Sequence, residues 1–587
     1  MISGSHTMRI TFQWLAAIAL SMSLTGMALA QVKVNVVIDG VPGEIADNVR
    51  LFLSIEQQKN DVLLSEGRLH RLHEKSTVEI NRALQPFGYY QPTIKKSLKR
   101  AENNGWVARY TIDTGPGITV HILDIKLTGD ITSDPEFQSY MREIPLHVGD
   151  RFNHIVYDGI KSELARLAAE RGYFSAQFTD HRVEIDLEEY EVNVYLHFDG
   201  GNRYRFGKII TQQDVLVPDL FQRYIPFEQG TPYTLNLLLS LQQALTDSDY
   251  FQTVEVYPLI AESQNYEIPI TINLTPRKER RYTLGLGYGT DTGARTKLGW
   301  ESPRINRNGH RFNAEARYSE IGYSLSARYR VPAFNPRTDQ VIYSTGVVNE
   351  KTATSSSTVR SVSASLLRSR NAWRESLSLS YQKETFAIAN DRGRSNLLIP
   401  GTNWNRVWGK DFINTLDGLR FDIGFKGASQ HIASDTSFFQ AQGSIKTITP
   451  LGDTNRIILR GQLGSTWSQG FNELPSSLRF FAGGTQSVRG YRFQSLGPAD
   501  ADGNIIGGRY LMTGSIELEH SFNTQWGVAV FYDAGNAFDN LDDKLERGSG
   551  LGFRWRSPIG PVRFDYASAI SRDGKPWRIQ INIGPDL

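Results

Sequence analysis

The stretch "RFNAEARYSEIGYSLSARYRV", residues 311–331, alternates with period two along both of its arms. Phe312, Ala314, Ala316 and Tyr318 share one face, and Asn313, Glu315 and Arg317 the other. On the return, Tyr323, Leu325, Ala327 and Tyr329 stand opposite Ser324, Ser326, Arg328 and Arg330. Successive side chains of a strand point to opposite faces, so the stretch predicts a hairpin with one apolar and one charged surface. A soluble sandwich also alternates, but its strands are usually shorter and its polar face rarely carries charges in such long rows. Apolar outside and charged inside over about ten residues is the pattern of a membrane β-barrel.

The same rule governs "ESLSLSY", "RFDIGFKG", "GSIELEHSF" and "VRFDYA", and helical periodicity is absent from about Arg280 onward. At about 19 residues per strand with its share of turn, residues 280–587 predict a barrel of roughly 16 antiparallel strands.

Upstream, a pattern recurs three times at intervals of about 80 residues. An amphipathic helical stretch ends in an aromatic pair and runs into strands, at Gly88-Tyr89-Tyr90, Gly172-Tyr173-Phe174 and Asp249-Tyr250-Phe251. These predict three α+β units, 31–117, 118–202 and 203–279, in which each pair closes its helix over a small sheet. Residues 1–30 read as an export signal, with Arg9 ahead of "WLAAIALSMSLTGMA" and a cleavage site at Ala28-Leu29-Ala30. Residues 1–7 look like an extraneous leader before Met8. The chain has no cysteine, which excludes a lipoprotein anchor, disulfides and thiol chemistry. Lys+Arg 64 against Asp+Glu 62 gives no imbalance that points to nucleic acid. Beyond Ala30 no run of about 18 apolar residues predicts a spanning helix.

Near the C-terminus the alternation assigns faces. In "WGVAVFYDAGNAF", Val528, Val530, Tyr532 and Ala534 face lipid while Phe531 and Asp533 face the lumen. In "GLGFRWRSPIGPVRFDYA", Leu551, Phe553 and Trp555 face out, and Arg554, Arg556, Arg563 and Asp565 face in. Within "FFAGGTQSVRGYRF", Gly483, Gly484 and Gly490 let a backbone pass close to a wall. A loop following Gly484 and folded into the lumen would bring Arg489 to Asp533 in a charge-assisted, bidentate bond.

Together with Phe531-Tyr532-Asp533-Ala534-Gly535, these motifs resemble, in their order, the Gram-negative outer-membrane assembly and secretion superfamily that contains BamA, TamA and the two-partner secretion transporters. The resemblance implies a 16-stranded barrel whose loop after the eleventh strand tucks inward. It implies a lock between Arg489 and Asp533, shaped by Val488, Gly490, Tyr491 and Gly535, and N-terminal repeats of the polypeptide-transport-associated (POTRA) type in the periplasm. Three repeats and the ending "INIGPDL" are similar to the TamA branch, which lacks a terminal aromatic. That branch implies a non-enzymatic factor without cofactor. With an inner-membrane-anchored TamB-like partner, it would insert unfolded autotransporters and other β-barrel clients among outer-membrane lipids.

Closing the barrel pairs "RYTLGLGYGTD" with "WRIQINIG". The first strand carries Leu284, Gly285, Leu286 and Gly287, and strand glycines pack poorly, so the seam is expected to be weak. Trp577, Ile579, Ile581 and Ile583 face lipid on the other edge, with Leu286 expected within disulfide reach of Ile581. A client strand could add there by backbone pairing; the steric alternative assigns the glycines to curvature alone. Arg277, Lys278, Arg280 and Arg281 are either solvated or at anionic head groups.

Two Asp-Thr-Gly triplets, at Asp113 and Asp291, raise an aspartic-protease dyad, against which both fall in turns. A pore exporting one dedicated protein also fits the lumen charges. The 11 histidines lack metal-ligand spacing. Arg68 to His73 reads as a polar helix face.

Overall fold

The computed structural model describes residues 32–101, 105–411, 414–540, 542–557 and 560–583. The export signal, the leader and the last four residues of "INIGPDL" lie outside the described residues. The chain divides into two compact units. One runs up to Gly207 and adds 229–236 and 260–268; the other holds 208–228, 237–259 and 269–587.

In the second unit, sixteen strands close in sequence order into an antiparallel barrel, from Arg281–Gly289 to Trp577–Ile583. The hairpin of residues 311–331 forms its third and fourth strands, with Tyr318 opposite Tyr323 across the turn. Alternation follows the expected sides. Tyr318, Tyr323, Leu325 and Tyr343 are exposed on the outer wall. On the inner wall Lys297 Nζ lies 2.7 Å from Glu315, which also meets Arg317 Nε at 2.6 Å. Among the described residues no helix is long and apolar enough to cross a membrane; a closed barrel is the strand architecture that can, because its backbone groups pair from strand to strand. The wall is uneven in height: the first three strands have 9, 10 and 9 residues, whereas the sixth to eighth have 16, 16 and 19.

In the first unit, the strand Trp106–Asp113 lies between Val34–Asp39, parallel to it, and Thr93–Arg100, antiparallel. The helices Gly43–Phe52 and Glu66–Leu84 cover this sheet. Next, Glu191–Asp199 pairs in parallel with Thr119–Thr128 and antiparallel with two short strands, under helices Pro135–Arg142 and His154–Arg171. The N-caps are Ser65, Asp134 and Asn153, whose side chains accept the orphan amides of Arg68, Glu136 and Ile155. A third sheet, ordered Arg205–Thr211, Glu267–Pro276, Phe251–Pro258, precedes the barrel.

The aromatic pairs do more than close their own helices. Tyr89 packs with the first sheet's core, but Tyr90 packs with the second's and meets His154 Nε2 at 2.8 Å. Likewise Tyr173 is core to its own sheet, while Phe174 stacks edge-on with Tyr204 and Tyr233 of the following segment. Each of these two pairs therefore fastens one repeat to the next, because the chain leaves the helix there at a left-handed glycine, Gly88 or Gly172.

The helix face at Arg68–His73 is not wholly polar. Leu69, Leu72, His73, Ser76 and Ile80 are buried together, and His73 Nδ1 lies 3.0 Å from the Tyr110 hydroxyl. Burial, then the nearby Lys96 charge, holds the His73 imidazole below its ordinary value of 6.5. The fold thus favours neutral His73. Its contribution to stability is full above about pH 6.5, the unfolded value, and is lost as pH falls through the lower folded one. Amide protection of Glu66–Leu84, corrected for intrinsic exchange, is expected to weaken between about pH 8 and about pH 5, and His73→Gln to remove that dependence.

Within the second unit, residues of the third α+β region grip the barrel's N-terminal turns. Tyr250, fully buried, donates to Gly309 O at 2.6 Å, and Arg311 stacks over its ring at 4.5 Å. Tyr224 donates to Pro336 O at 3.3 Å, Arg223 to Ala333 O and Phe334 O, and Val217 N to Arg307 O. A Cβ on Gly309 would stand 2.6 Å from the Tyr250 oxygen, so the turn admits only glycine. The basic run is partly consumed by pairing: Arg277 meets Asp249 at 2.6 Å, and Arg281 pairs with Glu301.

Candidate functional site: the inward loop and the seam

Residues 468–509 join the eleventh strand, Asn455–Trp467, to the twelfth, Tyr510–Ser521. The excursion begins well before Gly484. Two short 3-10 turns, Phe471–Glu473 and Ser476–Leu478, lay its first part on the wall of the seventh and tenth strands. There the fully buried Glu384 accepts from Ser477 Oγ at 2.5 Å, and Gln440 donates to Leu478 O at 2.8 Å.

The loop tip carries Arg489, only 2% exposed, to Asp533, which is 0% exposed. Arg489 Nε donates to Asp533 Oδ2 at 2.7 Å, Nη2 to Oδ1 at 2.8 Å, and the backbone N to Oδ2 at 2.9 Å. Nη1 reaches Glu517 Oε2 at 2.6 Å and Asp565 Oδ2 at 3.4 Å, and Nη2 also reaches Ser515 Oγ at 3.2 Å. All five guanidinium donors are thereby placed, and the Phe531 ring lies 3.5 Å from the guanidinium carbon. Arg554 continues the network to Glu517, Glu519 and Asp565 at 2.6, 2.8 and 2.6 Å. Arg456 closes it on Glu519, and Arg460 approaches Asp533 at 3.9 Å. Four arginines thus face four carboxylates, which lets so many charges be withdrawn from water together. Arg556 instead reaches Ser521 Oγ at 3.0 Å, and Arg563 lines a small cavity beside Arg460, Asp565 and Asn582.

Val488 and Tyr491 are buried in an apolar patch with Ala482, Leu496 and Ala569, and the Tyr491 hydroxyl donates to Glu546 at 2.6 Å. Gly490 has φ +93°, and a Cβ there would stand 2.8 Å from Ala569 N. The wall makes matching room at Gly548, where a Cβ would stand 2.0 Å from Arg489 O, whereas a Cβ on Gly535 would meet Met512 O of the adjoining strand at 2.6 Å, so that glycine serves strand packing rather than the loop.

Sequence reasoning named Arg489, Asp533, Arg554 and Asp565 but not Glu517, Glu519, Gly548 or Glu384. The signals were present. "IELEH" places two glutamates two residues apart on one face, and "GSGLGFRW" places Gly548, Gly550 and Gly552 on the Arg554 face.

At the seam, Leu284 and Leu286 are exposed on the outer wall, and Gly285 and Gly287 face Lys297 and Arg295 within. Trp577 and Ile579 are exposed, whereas Ile581 and Ile583 are half-buried. Among the described residues the two edges share one register pair, Gly289 with Asn582, supported by Thr290 N to Ile581 O at 3.2 Å. The neighbouring pairing of the last two strands runs from Val562–Ile583 to Ser568–Trp577. Ile581 therefore faces Thr290 rather than Leu286, and a crosslink belongs at 289 and 582. Beside the seam lies a recess of about 490 Å³ whose lining includes Gly287, Lys297, Arg317, Glu350 and Ile583.

Asp113 and Asp291 are each taken by their own surroundings. Asp113 accepts its own turn's Gly115 N at 3.1 Å, and Asp291 accepts from Thr485.

A closed sixteen-stranded barrel preceded by α+β units, with a loop folded onto its inner wall, defines an outer-membrane barrel protein with periplasmic domains. The Omp85 superfamily domain matches residues 263–586, the POTRA domain described as TamA domain 1 matches 35–114, and a POTRA family described as surface antigen variable number repeat matches 120–201. The chain belongs to the Omp85 superfamily. It is 31% identical over 165 residues to the outer membrane protein assembly factor BamA of Nitratidesulfovibrio vulgaris, covering 26% of this chain and 21% of that one. It is 21% identical over 540 residues to BamA of Neisseria meningitidis serogroup B, covering 78% of this chain and 66% of that one. The chain thus spans about a fifth and just under two thirds of these relatives. The crystal structure of Haemophilus ducreyi BamA lacking POTRA domains 1–3 superposes with a TM-score of 0.65 at 20% identity, covering 79% of this chain and 99% of that one, a likeness of fold. The barrel lies in the outer membrane and the POTRA units in the periplasm.

Proposed function

We propose that this chain is an outer-membrane assembly factor of the TamA type, which opens its first and last strands laterally and lets client strands add to the exposed edge. The observation that carries this reading is the seam, where the described edges meet at Gly289 and Asn582 while every other pair of neighbouring strands is zipped along a ladder. Backbone pairing at such an edge is indifferent to side chains, which suits a range of unfolded β-barrel and autotransporter clients.

Two features favour the TamA branch. Residues 35–114 match a POTRA description of that branch, and the third α+β region, read here as a third POTRA domain, grips the barrel turns. That branch brings with it an inner-membrane-anchored TamB-like partner for the periplasmic units. Liposomes carrying the full chain are expected to accelerate folding of a foreign outer-membrane barrel. The second reading, a pore for one dedicated protein, is favoured by the charged lumen. It predicts a wide, stable conductance with no acceleration, and that result would displace the first reading. In cells lacking the chain, loss of autotransporter passengers from the surface is the matching outcome.

A further inference from the structure

Asp291 sits in the turn between the first and second strands, beside the seam. Its Oδ2 accepts from Thr485 N at 2.6 Å and from Thr485 Oγ1 at 2.7 Å. Thr485 belongs to the inward loop, four residues before Arg489. The approach is built: Gly484 has φ +106°, and a Cβ there would stand 2.8 Å from the same carboxylate oxygen. Arg460 Nη1 holds the other side of Thr485 through its carbonyl at 3.2 Å.

Five residues further on, Gly490 N donates to Gln580 Oε1 of the last strand at 3.2 Å, and Gln580 is almost fully buried. One short piece of loop, 485–490, is therefore bonded to both edges of the seam. Directly, the first hairpin and the last strand are joined among the described residues by the 289–582 pair, the Thr290–Ile581 bonds and Arg295 Nη2, which donates to Ile583 O at 3.0 Å. The loop's carboxylate-centred link is a comparable fraction of what holds the seam shut, because bonds to a charged group are the stronger kind.

We propose that the inward loop is a clasp across the seam, in which Asp291 is the positioning residue that ties the loop tip to the first hairpin, Gln580 ties it to the last strand, and Asp533 anchors it on the thirteenth strand, Trp526–Phe538. Separation of the edges then requires release of Thr485 from Asp291, and the loop's position reports the seam's state. This rests on the lateral opening proposed above.

The absence of cysteine from the chain permits a clean test with the full chain in planar bilayers. Asp291→Ala is expected to raise the frequency of channel openings about tenfold or more, the loss appropriate to two bonds on one carboxylate. Asp291→Asn, which keeps an acceptor oxygen, is expected to fall between wild type and Asp291→Ala. Thr485→Val, which keeps its amide, is expected to give a smaller rise, and none beyond that of Asp291→Ala when the two are combined. In a Gly289→Cys/Asn582→Cys background the extra openings are expected to vanish on oxidation and return on reduction.

Unchanged openings in Asp291→Ala, with normal heat-modified gel mobility showing a folded barrel, overturn the clasp. So do independent, additive effects of the two substitutions, or openings that persist in the oxidised pair. Failure of the insertase reading shows elsewhere, as a wild-type chain that does not accelerate client folding.

Discussion

Arg489→Ala is expected to free the inward loop and to cost about 3–5 kcal/mol. The arginine is not a surface ion pair that water can replace. Its removal strips the fully buried Asp533 of two guanidinium bonds and leaves it with Arg460 at 3.9 Å, while Glu517 and Asp565 keep Arg554. Leaving one partner of a buried pair uncompensated costs more than the pair itself contributes. The checks are the temperature at which the folded band shifts on a semi-native gel, which should fall, and protease cleavage within 468–509, which should appear. Arg489→Lys is expected to rescue little. An ammonium offers three donors on a point charge, whereas the site uses five in a planar fork. Because the cluster is buried, the effect should change little with salt. An Arg489→Ala protein with wild-type shift temperature and an uncleaved loop would remove the lock from the account.

Oxidising a Gly289→Cys/Asn582→Cys pair is expected to abolish client insertion, with recovery on reduction. These residues are opposed in the register, and directly opposed antiparallel Cα atoms lie about 4.5–5.5 Å apart, within the span a disulfide accepts. A covalent bond at this point closes the edges that the proposed mechanism needs to part. A disulfide placed between Val562 and Ile583, in the continuous ladder of the last two strands, is the matched control and should leave insertion intact. Full insertion by the oxidised 289–582 protein would show that the barrel works without parting its seam.

The parts of this architecture legible in the sequence were those set by period and by pairing of opposite charges. The alternation of residues 311–331 gives the face of each side chain directly, and Arg489 and Asp533 are conspicuous because a charge on an inner wall beside a glycine-bracketed loop needs a partner. What alternation does not give is stagger. Ile581 meets Thr290 instead of Leu286, since sliding one edge by an even number of residues preserves every face while changing every partner.

His73 was misread for a related reason. A helix face is defined by spacing of three and four, and Leu69, Leu72, His73, Ser76 and Ile80 obey it, but the polar names obscured the stripe. Asp291 looked like turn chemistry, which it is. Its second occupation by Thr485, 194 residues away, is a property of the folded loop alone. Glu517 and Glu519 were hidden by their ordinariness, two acids on a charged wall, until three arginines were placed against them.

The unequal height of the barrel wall has a mechanical consequence. Interstrand hydrogen bonds are the springs of a cylinder of this kind, and their number along each junction grows with strand length. The junctions among the first three strands, with 9 or 10 residues apiece, are correspondingly soft, and those among the sixth to eighth are stiff. Thermal or applied strain will therefore gather on the flank beside the seam, so the cylinder deforms as a hinged shell with a rigid back rather than as an evenly flexing tube.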